Sequence, residues 1–246
     1  MGKRWIKLDN VSSTNSYIST LLNQEREVGP LVVLTDYQEA GRGQQSHSWH
    51  SHREENLLMS LLLFPAFLSA SSQFRLSMVA SLAITDTLGS LGIATNIKWP
   101  NDILTKKGKI AGILIEHGIS GRSISHSIIG IGLNLNQVTF PEFPVPATSV
   151  MLEKAIRTDP GDMAKKLILN LEARYNTLER GGSQSIDYDY LEKLYLINRR
   201  ASFLAHDETF EGAIRGVSEF GELQVETEGQ LMTFGHGEVV VLSTRT

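Results

Sequence analysis

Lys98-Trp99-Pro100-Asn101-Asp102 and, just downstream, Lys109 put an acid, an amide and two lysines into a segment otherwise made of two apolar strands. Burying such groups unpaired is costly, so they need each other or a ligand. Pro100 breaks the strand and fixes where Asn101 and Asp102 point. Lys106-Lys107-Gly108-Lys109 reads as a turn that leaves Lys109 at the mouth of the strand Ile110 to Ile115. An exposed hairpin with lysines facing water would use the same residues. The sharper reading is a lysine facing an Asp that can hold Mg²⁺, an arrangement that binds a carboxylate and a triphosphate together.

Gly41-Arg42-Gly43-Gln44-Gln45-Ser46 is a second, cationic element. Its glycines let backbone N–H groups approach an anion closely. It is not a dinucleotide fingerprint, which would need a third glycine where Ser46 stands and an apolar helix after it. A solvated turn has the same composition, but the polar loop Thr35 to Asn56 exceeds the roughly 12–15 residues beyond which loops are commonly functional. His47, His50 and His52 could ligate a transition metal, yet no matching helix flanks them, and they are read as solvent-exposed. Trp49 is either a satellite core residue or a plate for a planar ligand, and the sequence leaves both open. Asn134, in Gly130-Ile131-Gly132-Leu133-Asn134-Leu135-Asn136, either caps a strand or offers its amide to a ligand.

These residues need a frame. Val11-Ser12-Ser13-Thr14 precedes Tyr17, Ile18, Leu21 and Leu22, a helix with hydroxyl caps. Leu31 to Leu34, Leu57 to Phe64, Ile110 to Ile115 and Ser127 to Leu135 read as strands. Phe74, Met78, Leu82 and Ala83, with Gly92 as a stop, mark a second helix, and Met163, Leu167, Ile168, Leu171, Tyr175 and Leu178 a third. The texture changes near Asn198. Short β-type runs follow, with hairpin turns at His206-Asp207-Glu208 and Glu228-Gly229, and predict a small barrel. The expected units are 1–197 and 198–246.

Composition sets limits. The 246 residues suffice for one large domain or one large and one small, and the net charge of -4 gives no basic field for nucleic acid. With no cysteine, disulfides and thiolate metal sites are excluded. The basic start Met1-Gly2-Lys3-Arg4 lacks the apolar core of a signal peptide, and the run Leu57 to Leu68 is too short and interrupted to span a bilayer. Cytoplasm is the default location, with no membrane partner.

The motifs fall in a recognisable order. Ser13-Thr14-Asn15, Gln38-Glu39-Ala40-Gly41-Arg42-Gly43 with Trp49 downstream, Lys98-Trp99-Pro100-Asn101-Asp102, Gly108-Lys109-Ile110-Ala111-Gly112 through Glu116, and Gly130-Ile131-Gly132-Leu133-Asn134 together resemble a biotin protein ligase, that is, a biotin–[acetyl-CoA carboxylase] ligase. The resemblance covers essentially the whole chain. It implies an α+β fold, with a mixed-sheet catalytic domain akin to class II aminoacyl-tRNA synthetases and biotin/lipoate ligases, followed by an SH3-like β-barrel. It implies that biotin's carboxylate attacks the α-phosphate of Mg·ATP to give biotinyl-5′-AMP. A lysine of a biotin carboxyl carrier protein then takes the biotinyl group.

By the same resemblance Lys109, Arg42 and Asp102 are catalytic, with Asp102 holding Mg²⁺. Ser13, Thr14, Asn15, Gln38, Gly41, Arg42, Gly43, Lys109 and Gly112 bind biotin. Arg42, Gln44, Trp49, Lys98, Asn101, Lys109 and Asn134 bind ATP. The stretch Gln44-Gln45-Ser46-His47-Ser48 departs from a family loop richer in arginine and glycine. Some bacterial relatives carry an N-terminal winged helix-turn-helix; Ser13-Thr14-Asn15 stands too early to leave room for one, so no nucleic acid is expected as a partner. The chain would act as a monomer or homodimer. The rivals are a lipoate–protein ligase, whose substrate has no ureido ring for Ser13, Thr14 and Gln38 to hold, and a non-catalytic biotin or nucleotide sensor, which would have no use for both Lys109 and Asp102.

Overall fold

A computed structural model describes residues 4–24, 28–44 and 47–244. Seven strands form one mixed sheet. They are β1 (Arg4–Leu8), β2 (Leu31–Thr35), β3 (Asn56–Leu63), β4 (Asn96–Lys98), β5 (Asp102–Leu104), β6 (Lys109–Ser120) and β7 (Ser123–Asn134), in the spatial order β1-β2-β3-β7-β6-β5-β4. Only β1 and β2 run parallel; every other pair is antiparallel.

Side chains alternate along β3, and that alternation builds the layers. Leu57, Met59, Leu61 and Leu63 point to the main core, which they share with α2 (Phe74–Gly89), Val150 of the short α3 (Val150–Lys154), α4 (Pro160–Glu179) and α5 (Ser183–Lys193). Leu62, two positions from Ser60, instead packs with Leu31, Val33, Ile128 and Ile18 under α1 (Thr14–Gln24). All eight residues of β3 are buried, as a central strand covered on both faces requires. The helix expected to stop at Gly92 ends at Gly89; Gly92, at φ 69°, then turns the chain away. Asp159 caps α4 through the Asp162 N–H, with Pro160 in its first turn.

Tyr195 N–H donates to the Ile97 carbonyl, 2.8 Å away, at the point where the chain leaves the first sheet. A second sheet follows, made of β8 (Arg200–Ala205), β9 (Glu208–Val217), β10 (Leu223–Thr227), β11 (Gln230–Phe234) and β12 (Val239–Thr244). Both expected hairpins are present. His206 and Asp207 turn with φ 52° and 63°, and Glu228 and Gly229 with 50° and 79°, the left-handed pairs that match strand twist. The expected barrel is not closed. The order β11-β10-β9-β8-β12 leaves β11 and β12 as unpaired edges among the described residues. Phe203, Phe210 and Phe234 stack in its core, at centroid distances of 5.4 and 5.7 Å. Among the described residues no helix is long and apolar enough to cross a membrane.

Candidate active site

Strand register explains how distant motifs meet. Lys98 faces Asp102 across a turn made by Trp99, Pro100 and Asn101; Asp102 faces Gly112; Gly112 faces Gly132; Gly132 faces Leu58. Directly opposed residues share a face of the sheet, so one row carries a lysine, an acid and two glycines. The neighbouring row runs Leu114, Gly130, Ser60, Val33. The glycines leave a floor without side chains, and other elements lie on it. A Cβ at Gly132 would sit 2.4 Å from Trp49 Cε2, one at Gly112 3.0 Å from Trp49 Cζ3, and one at Gly130 2.5 Å from Asn15 Oδ1. The Trp49 indole therefore lies flat over one part of the floor and α1 over another.

Above this floor is a cavity of about 550 Å³. Ser13, Thr14, Asn15 and Gln38 line part of its wall; Lys98, Asn101, Asp102, Lys109 and Asn134 line another; Arg42, Gly43, Gln44 and Trp49 come from the loop between β2 and β3. Every residue that the resemblance points to reaches the wall except Gly41. That glycine acts beneath it, because a Cβ there would lie 2.6 Å from the Trp49 carbonyl oxygen. The loop is a small hairpin in which Trp49 N–H donates to Gly41 O at 2.8 Å and Gly43 N–H to His47 O at 2.6 Å. Gln45 and Ser46 fall outside the described residues.

The charged groups are paired in an orderly way. Lys109 Nζ lies 2.6 Å from Asp102 Oδ1 and 5.7 Å from the Trp49 ring centroid. Asp102 Oδ1 is buried, and the Lys109 ammonium is the positive charge that opposes it. A register shift between Ile103 and Leu104 and two backbone bonds to the segment after β7 (Lys109 N–H to Pro146 O at 2.7 Å, Thr148 N–H to Lys109 O at 2.9 Å) hold the lysine there. Arg42 instead forms a two-pronged pair with Glu116, both contacts 3.1 Å. The two cations are thus held by different carboxylates. Lys98 pairs with no carboxylate among the described residues. Asn101 Nδ2 donates to Ile113 O and Asn134 Nδ2 to Thr148 O, each at 2.9 Å.

Two parts of the wall escaped sequence reasoning. Phe140, Phe143, Val145 and Ala147 follow β7 without any periodicity and reach the cavity only because Pro146 and Thr148 pair with Lys109. His236, Gly237 and Val239 to Val241 come from the second sheet. Trp99 joins that sheet to the first, its Nε1–H donating to Gly221 O at 2.9 Å and its ring lying 6.0 Å from His236. Burial lowers the pKa of His236, so the imidazole beside Trp99 is neutral at pH 7. Gly112, Gly130 and Gly132, on one face of adjacent strands, were the available signal for the floor. His47, His50 and His52 are all exposed, and His50 Nε2 lies 2.8 Å from Ser48 Oγ.

Residues 8–134 match the Biotin/lipoate A/B protein ligase family. A relative in Bacillus spizizenii, a "Bifunctional ligase/repressor BirA", is 35% identical over 236 residues, 93% of this chain and 71% of that protein. The chain belongs to the Biotin/lipoate A/B protein ligase family. Another relative, a "Biotin--[acetyl-CoA-carboxylase] ligase" of Mycobacterium tuberculosis, is 27% identical over 98% of this chain and 91% of its own length. The fold is shared with a biotin protein ligase from Aquifex aeolicus solved with biotin and ATP, at a TM-score of 0.81, 24% identity and coverage of 98% of this chain and 100% of that one. The family match ends at Asn134, the last residue of β7, and so contains the whole glycine floor together with Asp102 and Lys109.

Proposed function

We propose that the protein is a biotin–protein ligase that activates biotin with Mg·ATP and passes it to a lysine of a biotin carboxyl carrier protein. One observation carries the reading: a single cavity holds the Lys109–Asp102 pair over a glycine floor together with the polar group Ser13, Thr14 and Gln38. The relatives named as biotin ligases support it.

The first step joins two anions, so their repulsion must be offset. A biotin carboxylate oxygen attacks the α-phosphorus, and the bond to the bridging oxygen breaks to release pyrophosphate. Lys109 is the cation on the floor that meets the charge on the carboxylate and α-phosphate, with Arg42 at the loop beside it. Both substrates held in one cavity make the attack effectively unimolecular. Ser13, Thr14, Asn15, Gln38, Gly43 and Gly112 form the biotin subsite. Trp49, Gln44, Lys98, Asn101 and Asn134 form the nucleotide subsite.

Asp102 is the one carboxylate lining the cavity among the described residues. That donor set suits a magnesium ion arriving on the nucleotide phosphates rather than one held in a protein cage, and the ion would neutralise phosphate charge there. In the second step the carrier lysine's neutral amine attacks the acyl carbonyl and AMP leaves. Residues 1–197 are taken as the catalytic unit and 198–246 as a second unit, which adds His236 and Val239 to Val241 to the wall.

The direct test mixes the protein with biotin, Mg·ATP and a carrier domain and reads the acceptor by mass spectrometry. A single biotinyl addition on one lysine is expected, dependent on ATP. No addition, or lipoylation in its place, would overturn the assignment.

Gln44 offers a finer test. It lines the cavity, and its Oε1 is buried with no hydrogen-bond partner among the described residues. An amide there brings no charge to a phosphate, whereas a guanidinium forms charge-assisted bonds roughly twice as strong. Gln44→Arg is therefore expected to slow the release of purified biotinyl-5′-AMP about tenfold, the equivalent of ~1.4 kcal/mol. An equal or faster release rate would show that Gln44 does not face the phosphate.

A further inference from the structure

Ser60 lies in the middle of β3, fully buried and outside the cavity wall. Its Oγ is nevertheless 2.6 Å from both Thr14 Oγ1 and Asn15 Oδ1. Asn15 Nδ2 lies 2.7 Å from Glu116 Oε2, and the same carboxylate holds Arg42. Thr14 Oγ1 is 3.1 Å from Gln38 Oε1, which also accepts from the Thr14 backbone N–H at 2.9 Å. A continuous polar chain thus runs Gln38–Thr14–Ser60–Asn15–Glu116–Arg42.

Counting protons fixes its direction. An ionised Glu116 only accepts, so Asn15 turns its Nδ2 toward Glu116 and its Oδ1 toward Ser60. That oxygen has no proton, so Ser60 must donate to it. The Ser60 hydroxyl has no second proton for Thr14, and an unprotonated contact between two oxygens at 2.6 Å is repulsive. Thr14 therefore donates to Ser60. Its contact with Gln38 Oε1 is the longest of the three and is the one left without a hydroxyl proton; the Thr14 backbone N–H still satisfies that oxygen. Two consequences reach the cavity wall. Thr14 Oγ1 presents lone pairs only, and Gln38 presents its Nε2 donor, which makes no hydrogen bond among the described residues.

We infer that Ser60 is a positioning residue, which with Asn15 and Glu116 forces Thr14 to act as an acceptor toward the ligand, beside the Gln38 donor that the Thr14 backbone N–H orients. This inference rests on the biotin reading of the cavity. Its chemical meaning is selection for a cyclic urea, which brings an N–H beside a carbonyl oxygen. A ring with oxygen in place of that N–H would set lone pair against lone pair at Thr14. Sites built around a substrate N–H or O–H reject analogues lacking it far more strongly than apolar pockets reject a missing methylene. Without Ser60, the Thr14 hydroxyl is released to donate in either direction, and the discrimination should relax.

The test compares binding of biotin, of the two cyclic carbamate analogues in which oxygen replaces one or the other ureido N–H, and of Mg·ATP to the wild type, Ser60→Ala and Ser60→Cys. In Ser60→Ala, biotin should weaken about tenfold, while its preference over one of the carbamates falls at least tenfold and Mg·ATP affinity stays within twofold. Ser60→Cys keeps the shape and a weak donor, should fall between the two, and carries the test if the alanine variant does not fold. A purely structural role would weaken all the ligands together and leave the preference unchanged, and that result overturns the inference. A wild type that does not bind biotin at all would instead overturn the biotin reading, and the inference with it.

Discussion

Lys109→Ala should lose adenylate formation by on the order of 10²–10³ in rate while the protein stays folded. The lysine is the partner of Asp102 at 2.6 Å, and its side chain is 31% exposed, so the fold does not depend on burying it. Removing it leaves Asp102 as an unopposed negative charge on the floor where, in the proposed reaction, the biotin carboxylate and the α-phosphate meet. Repulsion then adds to the lost attraction. Asp102 is only partly buried, so water can solvate the orphaned carboxylate and the stability change should stay small. Pyrophosphate release under saturating biotin and Mg·ATP measures the rate, and thermal unfolding checks the fold. Wild-type pyrophosphate release from a folded variant would remove Lys109 from the chemistry. Lys109→Arg should recover only part of the rate, because a planar fork does not replace a compact ammonium in a space bounded by the Trp49 ring and Gly112.

The chemistry of this site was more legible in the sequence than its walls were. Lys98, Asp102 and Lys109 are close in the chain and bracketed by apolar residues, so the conflict between charge and burial is visible locally. The hairpin turns at His206-Asp207 and Glu228-Gly229 were legible because few residue pairs tolerate left-handed backbone together. Elements with little apolar periodicity were not. In α5 only Ile186 and Tyr190 are buried, and β1 reads Arg-Trp-Ile-Lys-Leu, an edge strand half covered by α1. The five antiparallel strands of the C-terminal part were legible, but their open edges were not. Strand count and turn spacing are local properties, whereas closure depends on whether β11 and β12 meet, and no residue pattern announces that. In the sequence Ser60 does no more than interrupt the apolar run from Leu57. Its purpose emerges only when β3 is placed under α1, where a hydroxyl is the only group on that strand able to reach both Thr14 and Asn15.

Gly132→Ala should be among the most damaging single-methyl changes in the protein, costing roughly 10²-fold in kcat/KM for adenylation. Gly132 sits in an extended strand, so alanine strains no backbone angle there. The damage is purely local, since the new Cβ would stand 2.4 Å from Trp49 Cε2 where ordinary contact begins near 3.4 Å. The indole must shift by about 1 Å, a misplacement that can cost 10²-fold when it moves a group lining reacting substrates. Trp49 cannot retreat freely, because its backbone is tied to Gly41 by the N–H bond at 2.8 Å and its ring borders Lys109. Gly112→Ala, with its Cβ 3.0 Å from the same ring, should cost distinctly less. The origin of the effect is tested by repeating both changes with Trp49→Ala. With no ring to displace, the further cost of Gly132→Ala should largely disappear, a coupling that additive, independent sites would not show. If Gly132→Ala costs as much without Trp49 as with it, the floor acts through something other than the indole.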